Sequence, residues 1–257
     1  MLTLPDINFL HQLAALAEHK ILTPSRPQYA TEEAESLTRE LRDAIAIEIE
    51  EELKNHILTA YPTHVVHTSY LMPASAHSEF EWVIKLFASR VQGVSCIGML
   101  IGLAINGVTE MCMLSHPFTR ERFWSDGTQT RIFSPVGEFE LSTRQNIRLD
   151  QAILHINTDF DFTTGSGWVK EIRDSVLVTR RGDPYYALAM LATGYLDICI
   201  IAAESIAEFM PALILIQNAG GLFTVYESRL PGASNMIIAS GSQTVHHQIL
   251  QLLMPIT

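Results

Sequence analysis

The sequence predicts a mixed α and β fold with helices layered on sheets. Three observations carry this. Residues 36–60 repeat apolar side chains every four positions, as one buried helix face requires. Residues 95–103 and 108–114 are apolar, β-rich runs on either side of Asn106-Gly107, a hairpin pattern. Beyond Ala152, apolar runs of strand length and of helix length follow one another to Met254.

The elements follow in order. Phe9, Leu10, Leu13, Leu16 and Ala17 predict a first helix over residues 7–20, and Thr23-Pro24-Ser25-Arg26-Pro27 ends it. Ile45, Ile49, Leu53 and Ile57 mark the buried face of a long second helix ending at Tyr61-Pro62; Glu48, Glu50, Glu51 and Glu52 are expected largely outside. Strands are predicted at Val65-Val66, at Trp82-Val83-Ile84, in the hairpin and at Arg122-Phe123-Trp124, before an Asp126-Gly127 turn. Ala152–Ile156 reads as a buried strand, and Gly165-Ser166-Gly167 as a loop before Trp168. Tyr185–Thr193 reads as an apolar helix with Gly194 near its C-cap. Leu196–Ala202 is β-rich, Ile206–Asn218 helical, Leu222–Tyr226 and Met236–Ala239 short strands, and His246–Met254 a last helix.

Composition narrows the function classes. The formal net charge is −11, from 17 Lys+Arg against 28 Asp+Glu, which argues against binding nucleic acid through phosphate contacts. Cys96, Cys112 and Cys199 each sit in an apolar run and match no zinc spacing, so buried free thiols in a reducing compartment are expected. No apolar run is long enough to span a bilayer, and no signal-peptide pattern opens the chain; a soluble, cytoplasmic protein is the expectation. His64 and His67, or His246 and His247, lack a third metal ligand at any recognised spacing.

Four segments together resemble the inositol monophosphatase superfamily, above all its histidinol-phosphate phosphatase branch. Leu37-Thr38 and Tyr61-Pro62-Thr63-His64 flank the long helix as V-T-x-x-D and F-P-D-H do in that family. Gly107-Val108, Pro117 and Arg122-Phe123-Trp124 resemble its paired strands. Arg181-Gly182-Asp183-Pro184-Tyr185-Tyr186-Ala187 through Gly194-Tyr195-Leu196-Asp197 resembles R-x-G-D-C-Y-A…G-x-x-D. Pro211-Ala212-Leu213 through Ala219-Gly220-Gly221 resembles A-A-L-x-P-I-V-E-E-A-G-G. The resemblance implies an α/β (α+β) fold layered α-β-α-β-α, with two sheets between helices. It implies one domain over residues 1–257, divided near residue 145 into an N-terminal α+β half and a C-terminal α/β half.

It also implies an Mg²⁺-dependent phosphomonoesterase, in which carboxylates hold the metal ions that activate water and neutralise the phosphate. Here those carboxylates are replaced. Trp82-Val83-Ile84 keeps the apolar approach of W-[VI]-I-D-P-[IVL]-D-G-T, but Lys85 and Ala88 stand at its two aspartates. Leu41 stands at the acidic position after Thr38, and Ser69 and Tyr70 stand at the paired glutamates of G-E-E. Glu208, at the last aspartate, is the one carboxylate kept. A lysine and an arginine beside a divalent site repel the metal, more strongly in a cleft of low dielectric.

The expected function is therefore that of a pseudophosphatase that binds a small anionic or phosphorylated ligand or a partner, without a cofactor. Lys85, Ser89 and Arg90 are its anion-binding candidates, with the amides of residues 88–90; the plainer alternative is that Lys85, Arg90 and Glu208 neutralise one another. The alternative function is an active or altered phosphatase of a small phosphomonoester, such as inositol phosphate or histidinol phosphate, with Glu208 helping to hold Mg²⁺. Asp183 and Tyr185 are cleft candidates, and Asp183 alternatively caps the Tyr185 helix. The Ile97–Leu114 hairpin, with Met99, Met111 and Met113, is either core or a homodimer contact.

Overall fold

Two helices open the chain, α1 (Ile7–Leu22) and α2 (Glu32–Ala60). The computed structural model describes residues 4–22, 32–69, 78–88, 97–157, 167–227 and 235–253. The chain forms two units, Met1–Gly127 with Ile132–Glu138, and Thr128–Arg131 with Phe139–Thr257.

One sheet follows chain order: β1 (Val65–His67), β2 (Phe80–Ala88), β3 (Ile97–Ile105), β4 (Val108–His116), β5 (Glu121–Ser125), β6 (Thr130–Ser134) and β7 (Gly137–Glu140). β1 runs parallel to β2, and the pairs from β2 to β5 are antiparallel. Asn106 and Gly107 join β3 to β4 with φ of 51° and 79°, the two left-handed residues a tight hairpin needs.

The four-residue repeat of α2 packs as expected: Ile49, Leu53 and Ile57 join Leu10, Leu13 and Ile21 of α1 over Trp82, Ile84 and Leu86 of β2. Met99, Met111 and Met113 belong to that same core. Leu100, Cys112, Leu114 and Phe123, on the opposite face of the sheet, are fully buried too. The three methionines thus lie in the core, one of the two readings left open for the hairpin. Glu50 is a correction: expected outside, it is 1% exposed.

The second unit holds a sheet of order β11-β12-β10-β8-β9. Its strands are β8 (Ile153–Ile156), β9 (Val178–Arg180), β10 (Ile198–Ala203), β11 (Leu222–Tyr226) and β12 (Asn235–Ser240). β8 lies parallel to both β9 and β10, whereas β12 is antiparallel to β10 and β11. Four helices cover it: α3 (Gly167–Ser175), α4 (Pro184–Ala192), α5 (Met210–Asn218) and α6 (Gln243–Leu253). Strand alternation sorts the side chains. Leu154, Ile156, Ile198, Ile200 and Ile238 pack on Val169 and Ile172 of α3 and on Val245, Ile249 and Leu253 of α6. His155 and Cys199 point to the other face, where the Cys199 thiol meets the Ala187 carbonyl of α4 at 3.5 Å.

The sequence pattern misses α3 because its buried stripe holds only Val169 and Ile172 with half-buried Trp168. It misses β9, which is three residues long. It starts α5 four residues early; Pro211 belongs in a first turn, so the helix begins at Met210. Among the described residues, no helix is long and apolar enough to cross a membrane.

Candidate functional site

The first unit brings three segments to one carboxylate. Parallel pairing aligns His67 with Val83, so Ser69, two residues on, is level with Lys85. β1 has ended there, which leaves backbone donors on that side of β2 without a strand partner. Glu50 reaches in from α2 and accepts from one of them, the Leu86 N–H, and from two donors of Ser69. The Ser69 N–H donates to Oε2 at 2.9 Å, the Ser69 hydroxyl to Oε1 at 2.8 Å, and the Leu86 N–H to Oε1 at 3.0 Å. Position 50 is four residues after Ala46 and three before Leu53, so it shares the inward stripe of α2; that spacing is the signal the sequence reading passed over.

Lys85, the residue before Leu86, is half-buried on β2 and paired with Leu100 of β3. Tyr70, Ser89 and Arg90 lie outside the described residues, as do the side chains of Leu41 and Ala88.

These groups do not suit Mg²⁺, which needs oxygen lone pairs in near-octahedral array. Lys85 brings an ammonium. Ser69 is a neutral hydroxyl that donates to Glu50, and Glu50 already accepts three hydrogen bonds, so the carboxylate is largely engaged.

Three of the histidines weighed as ligands have other partners. The Trp82 indole N–H donates to His64 Nδ1 at 3.0 Å, so the His64 proton sits on Nε2. His64 stacks on Tyr61 at 4.8 Å and on Phe80 at 4.5 Å, and burial lowers its pKa. His67 Nε2 is 2.9 Å from Glu81. His246 lies between Ser240 (3.1 Å) and Thr224 (2.9 Å). Among the described residues, no three His, Cys, Asp or Glu side chains group as a metal site.

The second unit gathers Asp183, Tyr185 and Glu208. Asp183 caps α4: its Oδ1 accepts from the Tyr186 N–H at 2.8 Å. Burial pushes its carboxyl up to about 6, against the pull of the Tyr186 and Tyr185 amides. The α4 C-terminus closes as its sequence suggests, with Gly194 at φ 77° and the Gly194 and Tyr195 amides bonded back to Leu191 and Met190. Tyr185 is buried and stacks on Phe209 at 4.5 Å and 9°. Burial, then the charges of Glu208 and Asp183, drive its phenol pKa up. The result is an aromatic wall beside two carboxylates.

Two further polar groups escaped the sequence reading. Arg144 forks onto Asp197 at 2.8 and 2.5 Å. His155 is buried with no partner on Nε2, and burial lowers its pKa to about 4.

Comparison with known proteins gives these features a frame. In Arabidopsis thaliana, the bifunctional phosphatase IMPL2, chloroplastic, is 27% identical over an alignment of 190 residues that covers 68% of this chain and 54% of that protein. The chain therefore spans about half the length of this curated relative. Inositol monophosphatase II from Staphylococcus aureus MSSA476 superposes with a TM-score of 0.75 at 18% identity, over 95% of this chain and 91% of its own. Mycobacterium tuberculosis SuhB gives 0.73 at 14% identity, over 96% and 93%. At such identities the two structures speak for the fold. The sequence pattern of the inositol monophosphatase family, however, matches residues 5–256. Matched over nearly its whole length, this chain belongs to the inositol monophosphatase family.

Proposed function

We propose that the chain is a pseudophosphatase: a member of its family that has given up metal-dependent phosphomonoester hydrolysis and binds a small phosphorylated or otherwise anionic ligand. The observation that carries this reading is a lysine on β2, directly before the residue whose N–H Glu50 accepts. Where the family's motifs bring acidic side chains together, β2 presents an ammonium, and Glu50 is engaged by three donors. Charge reversal disfavours a divalent cation and suits an anion, because both effects grow as the surrounding dielectric falls. In this reading Lys85, with Ser89 and Arg90, supplies the positive charge that a metal supplies elsewhere. The buried thiols of Cys112 and Cys199 suit a reducing compartment such as the cytoplasm.

Two measurements test this. A panel of inositol, histidinol and sugar phosphates with Mg²⁺ or Mn²⁺ is expected to show no turnover above the protein-free blank. Turnover that disappears in Glu208→Ala overturns the proposal and establishes a residual hydrolase that uses the carboxylate beside Tyr185 and Asp183. Inorganic phosphate at tenfold excess over its dissociation constant is expected to raise unfolding free energy by about 1.4 kcal/mol, and Lys85→Ala to remove that gain.

A further inference from the structure

Glu50 invites a question that its helix does not answer. An apolar side chain at its position would complete the stripe of Ile49, Leu53 and Ile57. A carboxylate there costs several kcal/mol of desolvation unless it is well bonded. The three bonds at 2.8–3.0 Å meet that condition, and each is of the stronger, charge-assisted kind. The donors come from parts of the chain that local sequence does not join: Ser69 lies 19 residues from Glu50, and Leu86 lies 36 away.

The consequence for geometry is specific. The Leu86 N–H belongs to the peptide that links Leu86 to Lys85. A bond to that N–H fixes the peptide plane, and with it the direction in which the Lys85 backbone carries its side chain. Antiparallel pairing of Lys85 with Leu100 fixes the other edge of the same strand. Beyond His67, β1 no longer pairs with β2, so Glu50 takes the place of a neighbouring strand.

We infer that Glu50 is a positioning residue for anion binding at Lys85: its carboxylate locks the Lys85–Leu86 peptide and the Ser69 turn into one rigid edge. The inference rests on the anion-binding reading above. It assigns no contact with the ligand to Glu50 itself. Gln at this position keeps the size and one acceptor, but turns an amide N–H₂ toward a donor.

The test is calorimetric titration with inorganic phosphate at pH 7 on the whole chain and on Glu50→Gln, Ser69→Ala and Lys85→Ala, beside thermal unfolding of each. Glu50→Gln is expected to weaken phosphate binding about tenfold, the size of one charge-assisted hydrogen bond, at a temperature where the variant remains folded. Ser69→Ala removes a single hydroxyl donor and is expected to weaken it about threefold; it carries the test if Glu50→Gln does not fold. Lower melting temperatures with phosphate affinity unchanged in both variants overturn the inference and leave Glu50 a purely structural residue. Absence of phosphate binding by the unmodified chain overturns the anion reading, and this inference with it. Binding lost in Lys85→Ala but kept in the other two overturns this inference alone.

Discussion

Phe87 and Gly98 face each other across β2 and β3, and the pair shows how one residue's absence of side chain serves another. A Cβ on Gly98 would stand 2.3 Å from Phe87 Cζ and 3.0 Å from the Ser115 carbonyl oxygen. The glycine is thus the bed on which the buried Phe87 ring lies, at the strand position directly before Ala88. Gly98→Ala forces the ring aside and is expected to cost about 1–3 kcal/mol, as overpacking of a filled core does. Chemical denaturation of Gly98→Ala, Phe87→Ala and the double variant checks it: the double variant should lose less than the sum. An additive result would show that ring and glycine do not compete for the same space. At the same scale, Glu50 lies in an acidic run and Asp183 stands before an apolar helix, and neither setting names the partner. One satisfies the edge of a sheet, and the other caps a helix; what each meets in space decides its role.

At the scale of elements, the second unit is tied through one buried acid. Asp197 opens β10, and its side chain has no exposure. It accepts from Arg144 and from the Ile153 N–H of β8 at 2.7 Å, so the residues before β8 and the starts of β8 and β10 meet there. Arg144→Ala leaves that carboxylate buried with only its amide donor. A fully buried pair broken this way loses about 3–5 kcal/mol; the guanidinium is 40% exposed, so a loss of about 2 kcal/mol is expected in urea unfolding. A change under 0.5 kcal/mol would show that water replaces Arg144 freely.

The elements themselves were largely legible. The long α2 face, the Asn106-Gly107 hairpin, the α4 ends and the apolar strands of the second sheet all follow from spacing and turn chemistry. Short or weakly patterned pieces, such as α3 and β9, were not, because their stability comes from neighbours that the local sequence does not name.

Across the whole molecule, buried histidines set the response to acid. Burial lowers the pKa of His11, His64 and His116 in the first unit and of His155 and His246 in the second. A folded pKa below the unfolded 6.5 means that the unfolded chain binds more protons between the two values. The stability from these rings is therefore complete above pH 6.5 and is lost as pH falls through 6.5 toward each folded value. For His155, with a folded pKa of about 4, the loss over that window is about 3 kcal/mol. Asp183 acts in the opposite sense: its carboxyl is raised from 3.8 to about 6, so its contribution is present at low pH and is lost as pH rises through that window. Urea unfolding at several values between pH 4 and 7 is expected to show weakening with acid, flattened in His155→Leu and steepened in Asp183→Asn. A His155→Leu profile parallel to that of the unmodified chain would remove His155 from this account.

By itself, the sequence determined the order of the strongly patterned helices and strands, and the family. These are properties of composition and spacing, which local sequence carries in full. Only the tertiary structure decided that Glu50 turns inward, that the hairpin methionines are core, and that Asp183, Tyr185 and Glu208 share one neighbourhood. The physical reason is common to all three. A side chain's role is fixed by which backbone donors, rings and charges it meets, and those partners come from segments that meet only when the chain folds.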